Sequence, residues 1–347
     1  MPSPETGRPA PKGWRKWFLR PVRRVWAGLR FLGRLLLVTW ATLAIYYSNL
    51  PWAWSRLALA LAFAGFSIWA LWLTRRPRMG RVFLGLFAAV LIWYILIPPS
   101  HDREWRAEVA VMPRAIVDGD RVRITGVRDF DYRSRDDFTV RYIDREVSLA
   151  HLTSVDLFIS YWWPGPVAHT FVSFNFDNAP PVCISIETRP EEGESFSPVA
   201  SLFKQYELIY VVGEERDLVR VRTDYRGEEV YLYRILASPE GVRRLFLIYM
   251  DRINELADTP EWYHLLKSNC TLNIVRYANA AGREGGWDFR HYLNGWSDRY
   301  LYQAGRVDTS LPFNELRARS RITDVSREAG DAPDYSQRIR ASLPGRR

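Results

Sequence analysis

The sequence predicts an α+β protein in which three N-terminal transmembrane helices precede one mixed domain. Three apolar stretches crowd the first 100 residues, short runs of alternating polarity fill residues 121–236, and helical periodicity takes over from Ser238. At 347 residues there is room for an anchor and one domain with a real core.

The apolar stretches are Leu35 to Tyr47, Leu57 to Leu73 and Val82 to Ile97, each edged by Trp, Tyr or Arg. Each lies near the lower limit of roughly 17 residues for a membrane-spanning helix. Lys12, Arg15, Lys16, Arg20, Arg23, Arg24 and Arg30 precede the first, and Arg75, Arg76, Arg78 and Arg81 fill the loop between the second and third. Ser48 to Trp54, between the first two, is uncharged. The positive-inside rule then predicts a cytoplasmic N-terminus and a periplasmic location for everything after Pro98-Pro99, in a bacterial inner membrane. Trp14 to Arg30 mixes aromatic and aliphatic residues with arginine, the pattern of a helix in the anionic headgroup region or of a basic tail.

The net charge of +9 invites a nucleic-acid reading, but residues 1–100 hold 14 basic side chains against one acid, Glu5. The remainder is net acidic, so no basic surface remains for a nucleic-acid partner. Five histidines and two cysteines never fall at paired ligand spacing, so no metal and no cofactor is expected.

Within the domain, Arg121–Thr125, Phe138–Ile143, Leu218–Thr223 and Val230–Leu236 read as strands. The clearest hairpin joins Thr170–Phe176 to Val182–Glu187 through Asp177-Asn-Ala-Pro-Pro. Its hydrophobic pattern puts Val172, Phe174 and Phe176 on one face with Val182, Ile184 and Ile186. His169, Ser173, Asn175, Cys183, Ser185 and Glu187 share the other, with Glu187 diagonal to His169. Ser238-Pro-Glu then caps a helix whose Val242, Leu245, Phe246, Tyr249, Ile253 and Leu256 recur at threes and fours. A second helix follows over about Thr271 to Ala281, with Ser268 or Asn269 as its cap and Cys270 at its first turn. The stretch from Trp287 to Tyr302 reads as ordered, and the polar tail from about Asp324 as disordered.

A cysteine at a helix N-terminus sits where the dipole and free N–H groups favour thiolate. His169, after the stiff Trp162-Trp-Pro-Gly-Pro loop, is a candidate base, and Glu187 a candidate orienter. His151 and His264 are rival bases. The unreactive readings are a Cys270 that only fills space, a His169 that only caps the sheet, a Glu187 in a surface pair with Arg189, and a Cys183–Cys270 disulfide.

Four separated blocks carry a resemblance. Ala168-His-Thr-Phe-Val-Ser-Phe, Ile184-Ser-Ile-Glu-Thr-Arg, Gln205-Tyr-Glu-Leu-Ile-Tyr-Val-Val-Gly-Glu-Glu-Arg-Asp and Ser268-Asn-Cys-Thr-Leu-Asn resemble, in order and spacing, the Lnb N-terminal periplasmic domain family over about residues 115–280. That family is similar to permuted papain-like (NlpC-type) enzymes, in which the histidine strand precedes the cysteine helix. The resemblance implies lipoprotein N-acyltransferase chemistry, with Cys270 as nucleophile, His169 as base and Glu187 as third member. Asn269, Arg189 and Tyr206 become candidate substrate-binding supports, and a membrane phospholipid and a lipoprotein amine the partners. A cysteine amidase or peptidase acting on peptidoglycan peptides, and a noncatalytic envelope scaffold, are the alternatives. The organisation expected is a basic cytoplasmic segment (1–30), a three-helix anchor (31–99), a periplasmic catalytic domain (100–323) and a disordered tail (324–347).

Overall fold

The computed structural model describes residues 14–50 and 52–344, and the chain divides into two compact units, Met1–Pro98 and Pro99–Arg347. Much of the basic segment expected over 1–30 lies outside the described residues.

In the first unit, α1 (Trp14–Tyr46), α2 (Ala53–Ile68) and α3 (Pro77–Leu96) supply three stretches long and apolar enough to cross a membrane, of 26, 21 and 20 residues. At 1.5 Å per residue each reaches about 30 Å, the thickness of a bilayer's hydrocarbon core. Helix α1 is continuous across Arg30 and Phe31, so the expected boundary there is not a structural break. Small residues let the helices approach, since Ala41, Ala44 and Ala60 are buried, while Leu36, Leu61, Ile92 and Leu96 point outward. Trp40 packs against Phe87 and Tyr94 at ring separations of 5.8 and 5.3 Å. The π-helical turn Trp69–Leu73 ends α2, and its Leu71 carbonyl accepts a 3.0 Å hydrogen bond from Arg34, which gives that carbonyl a partner.

The second unit is built on β1 (Arg114–Asp118), β2 (Arg121–Arg128), β5 (Tyr142–Ser148), β6 (Leu152–Tyr161), β7 (His169–Phe176), β8 (Val182–Arg189), β9 (Glu207–Gly213) and β10 (Glu229–Arg234), with a separate ribbon of β3 (Asp131–Tyr132) and β4 (Phe138–Thr139). The sheet runs β1-β2-β9-β8-β7-β6-β10, with β5 also on β2. All its pairs are antiparallel except β2 with β9. Gly213 stands where β9 meets β2, and a Cβ there would come within 2.9 Å of the Arg128 carbonyl. The hairpin register pairs Val172 with Ile184 and Phe174 with Val182, as the hydrophobic pattern requires. Continued two residues, the pairing of Phe171 with Ser185 puts Glu187 straight across from His169 rather than diagonal to it.

Helices α5 (Pro239–Asp258) and α6 (Cys270–Ala280) cover one face of the sheet. Phe174 meets Phe246 and Tyr249 of α5 edge-on at 5.0 and 5.6 Å. Burying each such ring contributes about 1.5–3 kcal/mol. The other face, with Phe158, Phe171, Cys183 and Leu232, is covered by α4 (Glu215–Arg220), α9 (Thr323–Ala329) and α10 (Tyr335–Arg338). The short α7 (Ser297–Gln303) and α8 (Phe313–Ser320) lie between α6 and α9 in the chain.

Two expectations are corrected. Leu218–Thr223 is helical, in α4 and the π-turn Val221–Tyr225, because its alternation is not between core and solvent. Arg222 is buried, with its guanidinium 2.7 Å from Glu187. The tail from Asp324 is ordered as far as Pro344 and forms part of the core, with Ile339 fully buried. Its polarity misled because Arg340 is turned inward, pairing with Asp156 at 2.9 Å and with Glu215.

Candidate active site

Asn269 caps α6. Its side-chain oxygen accepts from the Leu272 amide at 2.8 Å and its NH2 donates to the Leu265 carbonyl at 2.7 Å. Cys270 therefore occupies the first turn, where the dipole is positive. Burial pushes its thiol up, but the charge and hydrogen bond of His169, with hydrogen bonding to Thr170, outweigh burial and lower it to about 6. An ionised sulfur at neutral pH is the consequence.

The first residue of β7 is His169, whose Nε2 lies 2.7 Å from Ser185 Oγ. Ser185 in turn donates to Glu187 Oε1 at 2.8 Å, while the direct separation between His169 and Glu187 is 3.7 Å. Burial raises the Glu187 carboxyl, but Arg222 and then His169 hold it well below the usual carboxylate range. An ionised Glu187 only accepts hydrogen bonds, so the Ser185 proton points to it and the Ser185 lone pairs face His169. Nε2 then carries a proton, and Nδ1 is the nitrogen left for Cys270.

A second group of hydrogen bonds fixes the cysteine side. Thr170 and Thr271 share one at 2.8 Å, and Asn294 donates to Thr271 Oγ1 at 2.9 Å with its NH2 3.9 Å from the Cys270 sulfur. The Asn294 oxygen accepts from the Ala168 amide at 2.8 Å, tying the histidine strand to the cysteine helix. Gly295 makes this possible, because a Cβ there would collide with the Gly165 carbonyl.

The fold brings Cys270, His169 and Glu187 together, with Asn269 as the cap of the cysteine's helix. Arg189 and Tyr206 bond elsewhere. Arg189 donates to the Val109 and Ala110 carbonyls at 2.9 and 2.7 Å and lies 4.2 Å over the Trp105 ring, fastening the domain's first segment. The Tyr206 hydroxyl donates to Ser195 at 2.6 Å and accepts from the Ser197 amide at 3.1 Å, holding a loop. His151 pairs with Asp177 at the surface, and His264 accepts from the Leu266 amide within its own turn. Cys183 lies on the sheet face opposite α6 and opposite Ser173 in register, so the disulfide reading fails on geometry; both thiols are free.

Ser185, Arg222 and Asn294 were not singled out from sequence. Ser185 had a signal, since it lies two residues before Glu187 on the same strand face. Arg222 was masked by the strand reading, and Asn294, 24 residues beyond Cys270, has no local signature.

Residues 138–295 match the family model described as Lnb N-terminal periplasmic domain, the family that the four sequence blocks resemble. Together with the three span-capable helices, the match supports a membrane protein with a periplasmic domain. No curated protein and no solved structure matches the chain.

Proposed function

With residues 138–295 taken as a Lnb-type periplasmic domain, we propose that this protein is a membrane-anchored thiol acyltransferase, its N-terminus cytoplasmic and its catalytic domain periplasmic. The observation that carries the reading is a buried thiol lowered to about 6 beside a histidine whose tautomer is fixed from behind. The order of histidine strand before cysteine helix is that of a permuted papain-like fold, which places a base against a nucleophile in the same way.

In the first step the Cys270 thiolate attacks the ester carbonyl of a membrane phospholipid. The carbon–sulfur bond forms, the carbon–oxygen bond breaks, and the His169 imidazolium gives its proton to the departing alkoxide. In the second step an amine attacks the thioester. The carbon–nitrogen bond forms, the thiolate leaves, and His169 takes the proton from nitrogen. Glu187, through Ser185, holds the ring and balances its charge, and the Asn294 amide, 3.9 Å from the sulfur, is a side-chain donor available to charge developing beside it. The acceptor is the N-terminal cysteine of a diacylglyceryl lipoprotein. Anchoring raises the effective concentration of both substrates, since each resides in the bilayer.

The test uses the full chain in membranes. A Cys270 adduct with the mass of an acyl group, released by neutral hydroxylamine and missing in Cys270→Ala, is the expected result. Loss of N-acyl lipoproteins in Cys270→Ala cells would identify the acceptor. Hydrolysis of soluble muropeptides with no lipid adduct would overturn the proposal in favour of a cysteine amidase.

A further inference from the structure

Against α6 and the sheet lies a cavity of about 520 Å³ whose lining does not include Cys270. That volume falls within the roughly 300–1,000 Å³ of small-molecule sites. Its floor is Leu157 and Val172 of the sheet, and its walls include Leu245 of α5 and Ile274, Val275 and Ala278 of α6. A strip of aliphatic side chains with no ring or polar atom suits an unbranched hydrocarbon chain.

The same cavity has a polar part. Arg283, His291 and Ser297 line it, and their Nη2, Nε2 and Oγ atoms are buried without a hydrogen-bond partner among the described residues. His291 and Ser297 are only 4% and 6% exposed. The groups gather round Tyr300, whose ring meets His291 edge-on at 4.9 Å and lies 5.7 Å from the Arg283 guanidinium. Buried polar atoms are normally satisfied, so three unsatisfied ones on side chains that line one cavity point to a missing partner. A cationic guanidinium among them selects an acceptor that is anionic.

We propose that this cavity binds one long, unbranched acyl chain bearing an anionic head group, as in a fatty acid or a lysophospholipid. The chain lies along Leu157, Val172, Leu245 and Ile274, and the head group takes the hydrogen bonds of Arg283, His291 and Ser297. Thr170 and Thr271 line the cavity and also join the strand of His169 to the helix of Cys270, so an occupant touches the frame of the thiol site. The proposal goes beyond the transferase reading, because binding here needs neither the sulfur nor the imidazole.

The experiment uses full-length protein in nanodiscs, in the Cys270→Ala background, with two photoreactive probes. One is a palmitic acid carrying a chain diazirine, the other the same chain on lysophosphatidylglycerol. Labelled peptides from 242–245, 274–278 or 300–306 with either probe are the expected result, and which probe labels identifies the natural source. Ala278→Phe, which fills the cavity, should abolish that labelling. Arg283→Gln should cut it about tenfold for the anionic probes, the loss of one charged hydrogen bond, yet leave the methyl ester of the palmitate probe unaffected. Measured with Cys270 restored, iodoacetamide alkylation at the wild-type rate shows that each variant is folded. Labelling confined to residues 21–96, or unchanged by Ala278→Phe, would overturn the proposal, and neither outcome bears on acyl transfer.

Discussion

Cys183 and Cys270 lie on opposite faces of one sheet, both buried, and their thiols are driven in opposite directions. Burial raises Cys183 well above the ordinary thiol range, and the Glu215 carboxylate adds to the effect. Burial also raises Cys270, but His169 and Thr170 reverse the outcome and bring it to about 6. Desolvation is common to the two, so what separates them is the partner each meets: an anion in one case, a histidine and a hydrogen-bond donor in the other. Around Cys183 the charged residues of this face serve structure, through Arg340 with Asp156 and Glu215. The end of the sheet where His169 meets α6 turns the same kinds of group toward chemistry.

The comparison is broken most directly by removing the sulfurs one at a time. Cys270→Ala is expected to lower acyl transfer at least about 10⁴-fold. Cys183→Ala should leave the rate unchanged, and acyl mass spectrometry of lipoproteins reads both. Next in size is His169→Ala. Alkylation of Cys270 in the wild type should follow a titration near pH 6, falling below it as the thiolate takes up a proton. Without His169 only the Thr170 hydrogen bonds oppose burial, so the midpoint should move up into or above the ordinary thiol range, and the rate at pH 7 should fall about 100-fold. A stopped-flow pH series decides it, and an unmoved midpoint would show that another group lowers the pKa.

On the structural face, Arg340→Ala leaves Asp156 and Glu215 buried without a cation common to both, and should cost about 3–5 kcal/mol. Thermal unfolding of the full chain measures this, while the alkylation midpoint should stay in place. The smallest effect expected is that of Ser185→Ala, which cuts the relay from His169 to Glu187. A roughly tenfold fall in transfer rate is expected, because the charge of Glu187 remains 3.7 Å away. Equal rates for Ser185→Ala and wild type would mean that Glu187 acts on His169 directly.

Much of this was legible in the sequence. The three apolar stretches, the β7–β8 hairpin and the Asn269 cap each announce themselves through a local pattern, and local patterns survive folding. His169 and Cys270 were found because a helix N-terminus and a strand end are chemically marked places. The misreadings share one physical cause, a buried charge. Arg222 inside a helix looked like the solvent side of a strand, and Arg340 inside the core looked like a solvated tail. Polarity in a sequence signals exposure only when no oppositely charged partner waits in the interior, and such partners lie far off in the chain. Glu187 lies 35 residues before Arg222, and Asp156 lies 184 before Arg340. Arg189 and Tyr206 have a structural task that the sequence did not show: their side chains fasten neighbouring segments.

Beside α4, the cover over Phe158, Phe171 and Cys183 comes from residues 323–343, which follow every strand of the sheet in the chain. In synthesis from the N-terminus, the sheet is made before this part of its cover. Until then part of an apolar surface is bare, open to chaperones, proteases and wrong partners. Quality control of this protein therefore has a natural checkpoint, the arrival of Arg340 between Asp156 and Glu215.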